Sequence, residues 1–180
     1  MKQTSALNQL RQRIIEELYA KQWREVWFFP EKDGIKGWRG TDPIMFIGLN
    51  PSTGRFPSKA DHMFYQCLAR NGFCNSHITD VFKVRSTPED MRDNLSNKGL
   101  VRLHQRYLLE EIDLLNPHLL VALGYKTLNI LKEWIPERFQ TRLIRIRHYS
   151  WAKRYRKENV FSQDMAKVRR HFKKFVPNIS

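Results

Sequence analysis

Four short apolar runs along the chain predict buried β-strands. The runs cover residues 44–49, 78–82, 119–124 and 142–147. The first and third are nearly continuous in apolar residues, which is typical of strands covered on both faces. The fourth alternates apolar and basic residues as a half-buried strand does, and we expect Leu143 and either Ile144 or Ile146 to face inward.

Between these strands, apolar residues at spacings of three and four predict helices. Thr4 or Ser5 is expected to cap the first helix, whose apolar face consists of Leu7, Leu10, Ile14 and Leu18. Further helices are predicted near residues 64–71, from residue 86 onward, and over residues 100–115, 125–134 and 162–175. Strands that alternate with helices predict an α/β fold, here a three-layer αβα sandwich with a mostly parallel four-stranded central sheet.

The length of 180 residues fits a single domain that buries enough apolar surface to be stable. We divide it into residues 1–43, with the N-terminal helix and an aromatic loop, residues 44–151, which form the motif-bearing core, and residues 152–180, which hold a basic C-terminal helix. The aromatic loop, residues 22–40, contains three tryptophans and two phenylalanines. Two roles are open for these rings: packing inside the protein, or stacking on nucleic-acid bases.

Positive charge dominates the composition. Lys and Arg number 32 against 18 Asp and Glu, for a net charge of +14. Residues 142–174 contain twelve of the basic residues and two acidic residues, Glu158 and Asp164. A concentrated basic surface of this kind indicates a polyphosphate partner, of which DNA and RNA are the commonest. An anionic membrane is disfavoured because no wide apolar face accompanies the basic residues.

Cysteine usage and the lack of long apolar segments argue against several other classes. Cys67 and Cys74 are the two cysteines, and neither belongs to a CxxC pair or a metal-ligand pattern with histidine. We therefore expect no metal ion, no iron–sulfur cluster and no cofactor. No stretch reaches the roughly 18 apolar residues of a membrane span, and the first residues lack a signal-peptide core. The expectation is a cytoplasmic monomer without a membrane partner.

The loop after the first strand carries more polar groups than a turn requires. Pro51 disfavours helical geometry at Asn50, so Asn50 is expected in an extended or turn conformation at the carboxyl end of the strand. Open α/β sheets bind their ligands at this edge. Ser52, Arg55 and Phe56 follow, and they add a hydroxyl group, a cation and an aromatic ring to the same loop. The loop is therefore the first candidate for a functional site.

Three motifs, in this order, resemble the uracil-DNA glycosylase superfamily. GLNPS at residues 48–52 is similar to the first motif in the form that the mismatch-specific branch carries. Two further segments are similar to the thermostable branch in amino-acid sequence and in spacing. They are HITDVFKVRSTPED at residues 77–90 and the segment around VALG at residues 121–124. RIRHYS at residues 145–150 lies where the superfamily has its second motif. The resemblance spans about residues 44–151 and mixes features of the two branches.

The resemblance implies a DNA glycosylase that flips a damaged or deaminated base out of the duplex and hydrolyses its N-glycosidic bond. Asn50 would position the attacking water, and His148 would donate a hydrogen bond to the departing base. Phe56 would stack on the flipped base. The implied base-binding set is completed by Gly48, Leu49 and Asp80. The structural alternatives are an ordinary turn residue at Asn50 and a core ring at Phe56.

The same resemblance implies a DNA-binding surface around the second motif. Tyr149 or Trp151 would be the wedge that fills the space left by the flipped base. The implied DNA-binding side chains are Ser52, Arg147, Tyr149, Ser150, Trp151, Lys153, Arg154 and Arg156. The cations among them suit phosphate groups.

Three positions depart from the family pattern. Asp80 stands where the thermostable branch has an asparagine that reads the base, and an ionised carboxylate cannot donate a hydrogen bond. Three interpretations are open: Asp80 is protonated in an apolar pocket, the preferred base offers a donor at this point, or Asp80 pairs with Lys83 or Arg85 and touches no base. Tyr149 replaces a proline, and Val84 occupies the slot of an iron–sulfur cysteine.

The leading hypothesis is a monofunctional DNA N-glycosylase of base excision repair, which acts on damaged or mismatched DNA without metal or cofactor. The alternative is a nucleic-acid-binding protein on a glycosylase-like scaffold without uracil-excision activity, and Asp80 motivates it. A nucleotide-binding α/β protein is a third interpretation, but the loop after the first strand has no GxxxxGK[ST] pattern.

Overall fold

The computed structural model describes residues 2–23 and 25–176, so Met1, Arg24 and the end of the predicted C-terminal segment, residues 177–180, lie outside the described residues. The helices are α1 (Lys2–Ala20), α2 (Lys59–Arg70), α3 (Pro88–Ser96), α4 (Lys98–Leu115), α5 (Tyr125–Trp134), α6 (Glu137–Gln140), α7 (Tyr149–Arg154) and α8 (Glu158–Phe175). The strands are β1 (Ile44–Gly48), β2 (His77–Asp80), β3 (Leu119–Leu123) and β4 (Leu143–Ile146). A short 3₁₀ turn covers Gly37–Arg39 in the aromatic loop.

The four strands form one sheet in the order β2-β1-β3-β4, and every neighbouring pair is parallel. The α/β fold with a four-stranded central sheet is confirmed, and the sheet is fully rather than mostly parallel. β1 lies between β2 and β3, with Gly48 opposite Asp80 at its carboxyl end. The strand order reverses between β1 and β3, which places a ligand-binding crevice at the carboxyl edge of these strands.

Alternate residues of β1 enter different hydrophobic cores on the two faces of the sheet. Ile44 and Phe46 pack with α2, α7 and α8. Met45 and Ile47 pack with α1, α4 and α5. This alternation follows from the two-residue repeat of a strand, and it explains the nearly continuous apolar runs. The architecture is the expected three-layer sandwich.

Helix α1 begins earlier than predicted. It starts at Lys2, so Thr4 and Ser5 lie inside the helix and the predicted cap is wrong. Its predicted apolar face is buried and consists of Leu7, Leu10, Ile14 and Leu18. Apolar spacing marks the buried face of a helix, but it does not mark a first turn that is largely exposed.

Other element boundaries also differ from the sequence prediction, and two short helices were not predicted. β2 ends at Asp80 rather than at residue 82, although the next two residues still donate backbone hydrogen bonds to the end of β1. Helix α8 begins at Glu158 rather than near residue 162. No sequence pattern predicts α6 and α7, because helices of four and six residues are too short to show a helical repeat.

The aromatic loop packs largely into the protein. Three of its rings, Phe28, Phe29 and Trp38, are buried. A backbone bridge between Val26 and Val84 attaches the loop to the segment that follows β2. Packing inside the protein is therefore the main role of these rings.

A buried ion pair lies beneath the carboxyl end of β2. The Lys83 ammonium group is 2.7 Å from the Glu111 carboxylate, and both side chains are almost completely buried. Glu111 also contacts the Nε2 atom of His77 at 3.1 Å. Lys83 donates further hydrogen bonds to Thr79 Oγ1 and to the backbone oxygen of Asp80. The network ties α4 to the end of β2.

We expect Lys83→Met to lower the free energy of unfolding by about 3–5 kcal/mol, because it leaves the Glu111 carboxylate buried without its cation. Urea denaturation followed by circular dichroism measures this loss. The double variant Lys83→Met with Glu111→Gln should recover a substantial part of it, since no unpaired charge remains. Equal losses in the single and double variants would contradict this account of the ion pair.

Candidate functional site

The carboxyl ends of the strands border a small pocket, which we call the strand-end pocket. Its volume is about 130 Å³. The walls come from the aromatic loop, the loop after β1, the end of β2, the start of α2 and the residues after β4. The polar and aromatic side chains of its lining include Trp27, Asn50, Phe56, Asp61, Asp80, Arg85, His148 and Tyr149. The structure thus brings Asn50 and Phe56, from one loop, together with Asp80 and His148, which are distant in the sequence.

Asn50 is held in place by two backbone carbonyl groups. Its Nδ2 atom donates to the oxygen atoms of Pro51 and Ser86, each at 3.1 Å. Ser86 is in turn bound by Asn94, whose amide donates to the Ser86 hydroxyl group at 3.1 Å. Because both amide hydrogens of Asn50 are engaged, its Oδ1 atom is the group left for a ligand, and that atom only accepts hydrogen bonds.

The Asp80 carboxyl group packs directly against the backbone of Gly48. The two residues are partners across β1 and β2. A Cβ atom at position 48 would overlap Asp80 Oδ1 and would lie 3.3 Å from Asp80 Cγ. Glycine is therefore needed here to make room for the carboxyl group.

The Asp80 side chain is buried without a protein partner. Only 6% of the residue is exposed, and its carboxyl group forms no hydrogen bond or ion pair with a described residue. Burial raises the pKa of Asp80 to about 7, since desolvation disfavours the charged form. Lys83 opposes this rise, whereas Glu111 and Asp61 add to it. A large fraction of Asp80 is therefore protonated near neutral pH.

The structure removes one of the three interpretations of Asp80. Lys83 pairs with Glu111 and reaches only the backbone oxygen of Asp80. Arg85 donates instead to the backbone oxygen of Gly54 at 3.1 Å. The expectation that Asp80 pairs with either cation is therefore wrong, and its carboxyl group borders the pocket.

Hydrogen bonds from Ser150 determine which nitrogen atom of the neutral His148 ring carries the proton. The Ser150 backbone N–H donates to His148 Nδ1 at 3.2 Å, and the Ser150 hydroxyl group lies 2.7 Å from the same atom. Since a backbone N–H can only donate, Nδ1 carries no proton and the neutral ring is protonated at Nε2. Burial lowers the pKa of His148 to about 4, against the opposing effect of Asp61. His148 therefore offers a neutral Nε2–H donor at ordinary pH.

Phe56 forms an aromatic wall with residues from two other segments. Its ring centroid is 5.2 Å from that of Trp27 and 5.9 Å from that of Tyr65. The Arg85 guanidinium group lies 4.4 Å from the Trp27 ring centroid, at cation–π distance. Phe56 is only partly buried and borders the pocket, which is a placement that allows stacking on a bound ring.

Tyr149 does not lie where a wedge must lie. Only 8% of the residue is exposed, and its ring stacks on Phe64 at 4.6 Å and on His148 at 4.4 Å. Insertion into a duplex would require the ring to leave this packed position. The expectation for Tyr149 is therefore corrected: it is part of the pocket wall. Trp151, which is 38% exposed, is the candidate wedge.

Leu49 also lies elsewhere than expected. It packs against the hydrophobic core on the α1 and α4 face of the sheet, and it does not border the strand-end pocket. Consecutive residues of an extended chain point in opposite directions, so Gly48 and Leu49 face different sides. Gly48 therefore borders the pocket, whereas Leu49 borders the neighbouring groove that also contains Asn50, so the expectation that Leu49 contacts the base is corrected.

Two open grooves meet the strand-end pocket at His148. The first has a volume of about 390 Å³, and we call it the Asn50 groove. Its walls include Asn50, Ser52, Lys126 and Ser150.

The second groove has a volume of about 450 Å³, and we call it the Trp151 groove. Its walls include Tyr125, Arg145, Arg147 and Trp151. A long ligand can therefore follow the grooves while one of its groups enters the pocket.

The basic side chains expected to bind DNA differ in their partners. Arg147 and Lys153 each form an ion pair with an acid of α8 at 3.0 Å. Arg154 and Arg156 are exposed, and neither side chain donates a hydrogen bond to a described residue. The latter two are therefore freer to bind phosphate groups.

Part of the positive charge lies away from the pocket. Helix α8 has 18 residues, a length of about 27 Å. Its first half carries Asp164, which pairs with Arg147 after β4. Its last turns carry Phe172, which packs on Phe73 before the amino end of β2. The basic charge predicted for one surface is therefore spread along the helix, and only the part near α7 adjoins the pocket.

The sequence did not predict that three further residues line the pocket. Trp27 and Arg85 come near it because the Val26–Val84 bridge joins their segments. Asp61 forms a capping box with Ser58 at the start of α2. The Ser-x-x-Asp spacing reveals the start of a helix, but it does not reveal that Asp61 also borders the pocket.

Neither a metal site nor a membrane span is visible in residues 2–23 and 25–176. No group of three or more His, Cys, Asp or Glu side chains in these ranges is arranged to hold a metal ion. Cys67 is buried, Cys74 is exposed, and both are free thiols. No helix in the same ranges is long and apolar enough to cross a membrane.

Gly48→Ala should lower the free energy of unfolding by about 1–3 kcal/mol, because the new methyl group displaces the Asp80 carboxyl group. Thermal or urea unfolding measures the change. Gly54→Ala is the matched control, since its Cβ would come no closer than 3.5 Å to Ser52 Oγ. Adding Asp80→Ala to Gly48→Ala should remove most of the loss, and failure of this rescue would show that the two residues do not conflict.

Asp80→Asn should stabilise the protein at pH 8 but not at pH 4. The folded-state pKa of about 7 lies above the ordinary value of 3.8, so the folded state binds the proton more tightly. Stability is then lost as pH rises from about 4 to 7, by up to about 4 kcal/mol. The asparagine variant lacks this loss. Unfolding free energies from pH 4 to 8 test it, and parallel curves for the two proteins would refute a neutral Asp80.

Comparison with known proteins agrees with the geometry of the site. A family model described as the uracil DNA glycosylase superfamily matches residues 39–179. This span includes the residues that line the strand-end pocket, apart from Trp27 and Phe29. No curated protein sequence matches the chain. Because the family model covers most of its length, the chain belongs to the uracil DNA glycosylase superfamily.

Proposed function

We propose that this protein is a monofunctional DNA N-glycosylase of base excision repair, which releases a damaged or deaminated base and leaves an abasic site. The observation that carries the proposal is the strand-end pocket, where Asn50, Asp80 and His148 border one small volume. Membership of the uracil DNA glycosylase superfamily supports the same conclusion.

The size of the pocket favours a single-ring base. A cavity of roughly 150 Å³ holds one benzene molecule, and the strand-end pocket has about 130 Å³. A base inside a duplex cannot reach such a pocket, so the nucleotide must rotate out of the stack before it binds. Phe56 then offers its ring for stacking on the base.

The Asn50 groove is the proposed place for the sugar. Asn50, Ser52 and Ser150 border both this groove and the strand-end pocket. A nucleotide whose base occupies the pocket therefore has its C1′ atom close to the boundary between the two. This is where water must attack, and it is also where Asn50 lies.

Asn50 is proposed to orient the attacking water. Its amide hydrogens are engaged by Pro51 and Ser86, so its Oδ1 atom accepts a hydrogen bond from the water. An amide does not take up a proton at ordinary pH, so Asn50 positions the water without acting as a base. The gain in rate comes from correct placement of the nucleophile.

His148 is proposed to stabilise the departing base. As the N-glycosidic bond breaks, the sugar becomes positive and negative charge accumulates on the base oxygen atoms. The neutral His148 ring donates from Nε2 to one of these atoms, and this bond strengthens as the charge grows. Because the pKa of His148 is about 4, the ring needs no protonation change between pH 6 and 8.

The duplex is proposed to lie across α7 and the two grooves. Trp151 is exposed beside the Trp151 groove and is the candidate wedge for the space that the flipped base leaves. Its ring lies 5.8 Å from the Arg147 guanidinium group. Arg154 and Arg156 on the adjoining surface supply cations for the phosphates, so binding should weaken as salt increases.

Asn50→Ala and His148→Ala should each lower the rate of base release. We expect losses of roughly 100-fold for Asn50→Ala, through misplaced water, and roughly 100–1,000-fold for His148→Ala, through loss of its hydrogen bond. Labelled duplexes that carry uracil, mismatched thymine, hypoxanthine, xanthine or alkylated bases are incubated with each protein and then cleaved with alkali at abasic sites. Duplex affinity should change little.

Asn129→Ala and His62→Ala are the matched controls, since both residues are exposed on helices outside the pocket and grooves. Full activity of Asn50→Ala and His148→Ala on the best substrate would refute the mechanism. Salt-dependent duplex binding without base release from any substrate would instead favour the nucleic-acid-binding alternative.

A further inference from the structure

The Asp80 carboxyl group is a polar group at the pocket whose hydrogen bonds the protein does not use. Neither of its oxygen atoms accepts a hydrogen bond from a side chain or backbone group of the described residues, although its own backbone oxygen binds Lys83. Buried polar groups normally have partners. A carboxyl group left open toward a ligand-sized pocket is therefore available for the ligand itself.

No cation is committed to this carboxyl group. The titratable and charged side chains around it are Lys83 and Arg85 after β2, Glu111 on α4, Asp61 and Tyr65 on α2, His148 after β4 and Tyr149 on α7. The Lys83 ammonium group is neutralised by Glu111, and the Arg85 guanidinium group binds a backbone oxygen. His148 is neutral, and Asp61 adds negative charge. Burial, together with the negative charges of Glu111 and Asp61, outweighs the opposing charge of Lys83 and favours a neutral Asp80.

A neutral and an ionised carboxyl group recognise different base edges. The neutral group has one O–H donor and one carbonyl acceptor, whereas the ionised group has acceptors only. Uracil presents an N3–H donor beside the O4 acceptor, an imide edge. The neutral group pairs with both atoms at once, but an ionised group meets O4 with repulsion. It also repels the negative charge that builds on the base when the bond breaks.

We propose that Asp80 is a proton-gated specificity residue, which recognises the imide edge of a single-ring base only in its neutral form. The proposal rests on the proposed function for the identity of the ligand. The neutral side chain presents its donor and acceptor as an asparagine amide does. It differs from an amide because its recognition of the base is lost when the proton leaves. Uracil recognition is then strong in mildly acidic solution and weak in alkaline solution.

The decisive measurement is equilibrium binding over pH 6–9. The probe is a duplex with one 2′-fluoro-arabino-uracil nucleotide, whose fluorine opposes positive charge on the sugar and so prevents cleavage. The reference is the same duplex with a tetrahydrofuran abasic site. The ratio of the two affinities reports recognition of the base and cancels changes in general DNA binding.

For the wild-type protein, this ratio should fall roughly 50-fold between pH 7 and pH 9, because about half of Asp80 is neutral at pH 7 and about one part in a hundred is neutral at pH 9. Asp80→Asn should give a high ratio that does not change over the same range, since an amide keeps its donor. Asp61→Asn removes the other pocket carboxyl group and should retain the fall, with its onset moved to lower pH because Asp61 helps to raise the pKa of Asp80. Calorimetry above pH 7 should also show uptake of about one proton on binding, and Asp80→Asn should abolish it.

A flat ratio for the wild-type protein, or an equal fall in wild type and Asp80→Asn, would overturn the proposal. A preference for a cytosine duplex that grows with pH would also overturn it, since the ionised group would then be the form that binds a base. Base release is not measured in this test. The role of Asp80 in recognition can therefore be refuted without refuting the proposed glycosylase activity, and the reverse also holds. Absence of base release from every damaged duplex would refute the proposed function, whereas the affinity ratios decide the role of Asp80.

Discussion

The site depends on one close contact, the packing of the Asp80 carboxyl group against Gly48. Parallel pairing of β1 with β2 places the two residues side by side, and the missing side chain of Gly48 leaves the space that the carboxyl group occupies. A buried carboxyl group without a partner destabilises the fold when it is charged. Retaining it at the edge of a pocket is typical of a functional position rather than of core packing.

The groups around this contact are oriented by the backbone. Carbonyl groups of Pro51 and Ser86 hold the amide of Asn50, and the Ser150 N–H holds the ring of His148. Each side chain is left with one defined function, an acceptor at Asn50 Oδ1 and a donor at His148 Nε2. Rigid placement of this kind is what leaving-group stabilisation and water positioning require. The buried Lys83–Glu111 pair below the site keeps its own charges balanced, so Asp80 is free to respond to a ligand.

Strands and long helices were predictable from the sequence because their burial sets the spacing of apolar residues. A strand buried on both faces is nearly continuously apolar, and a helix buried on one face has apolar residues three and four positions apart. The runs that became β1 and β3 are apolar on both faces, and the α5 prediction, residues 125–134, matches the structure. The family motifs located Asn50 and His148. Sequence could not show that Tyr149 is covered by Phe64, because that depends on how α7 packs on α2. Trp27 reaches the pocket through a tertiary contact for the same reason.

The central claim is that the strand-end pocket releases a base by hydrolysis. The most direct measurement is mass spectrometry of the free bases and of the intact strands after incubation with a duplex that carries uracil opposite guanine, in mildly acidic buffer. The account predicts free uracil together with a strand that contains an abasic site and has unbroken phosphodiester bonds. Retention of the base in this duplex and in duplexes with mismatched thymine, hypoxanthine, xanthine or alkylated bases would contradict it.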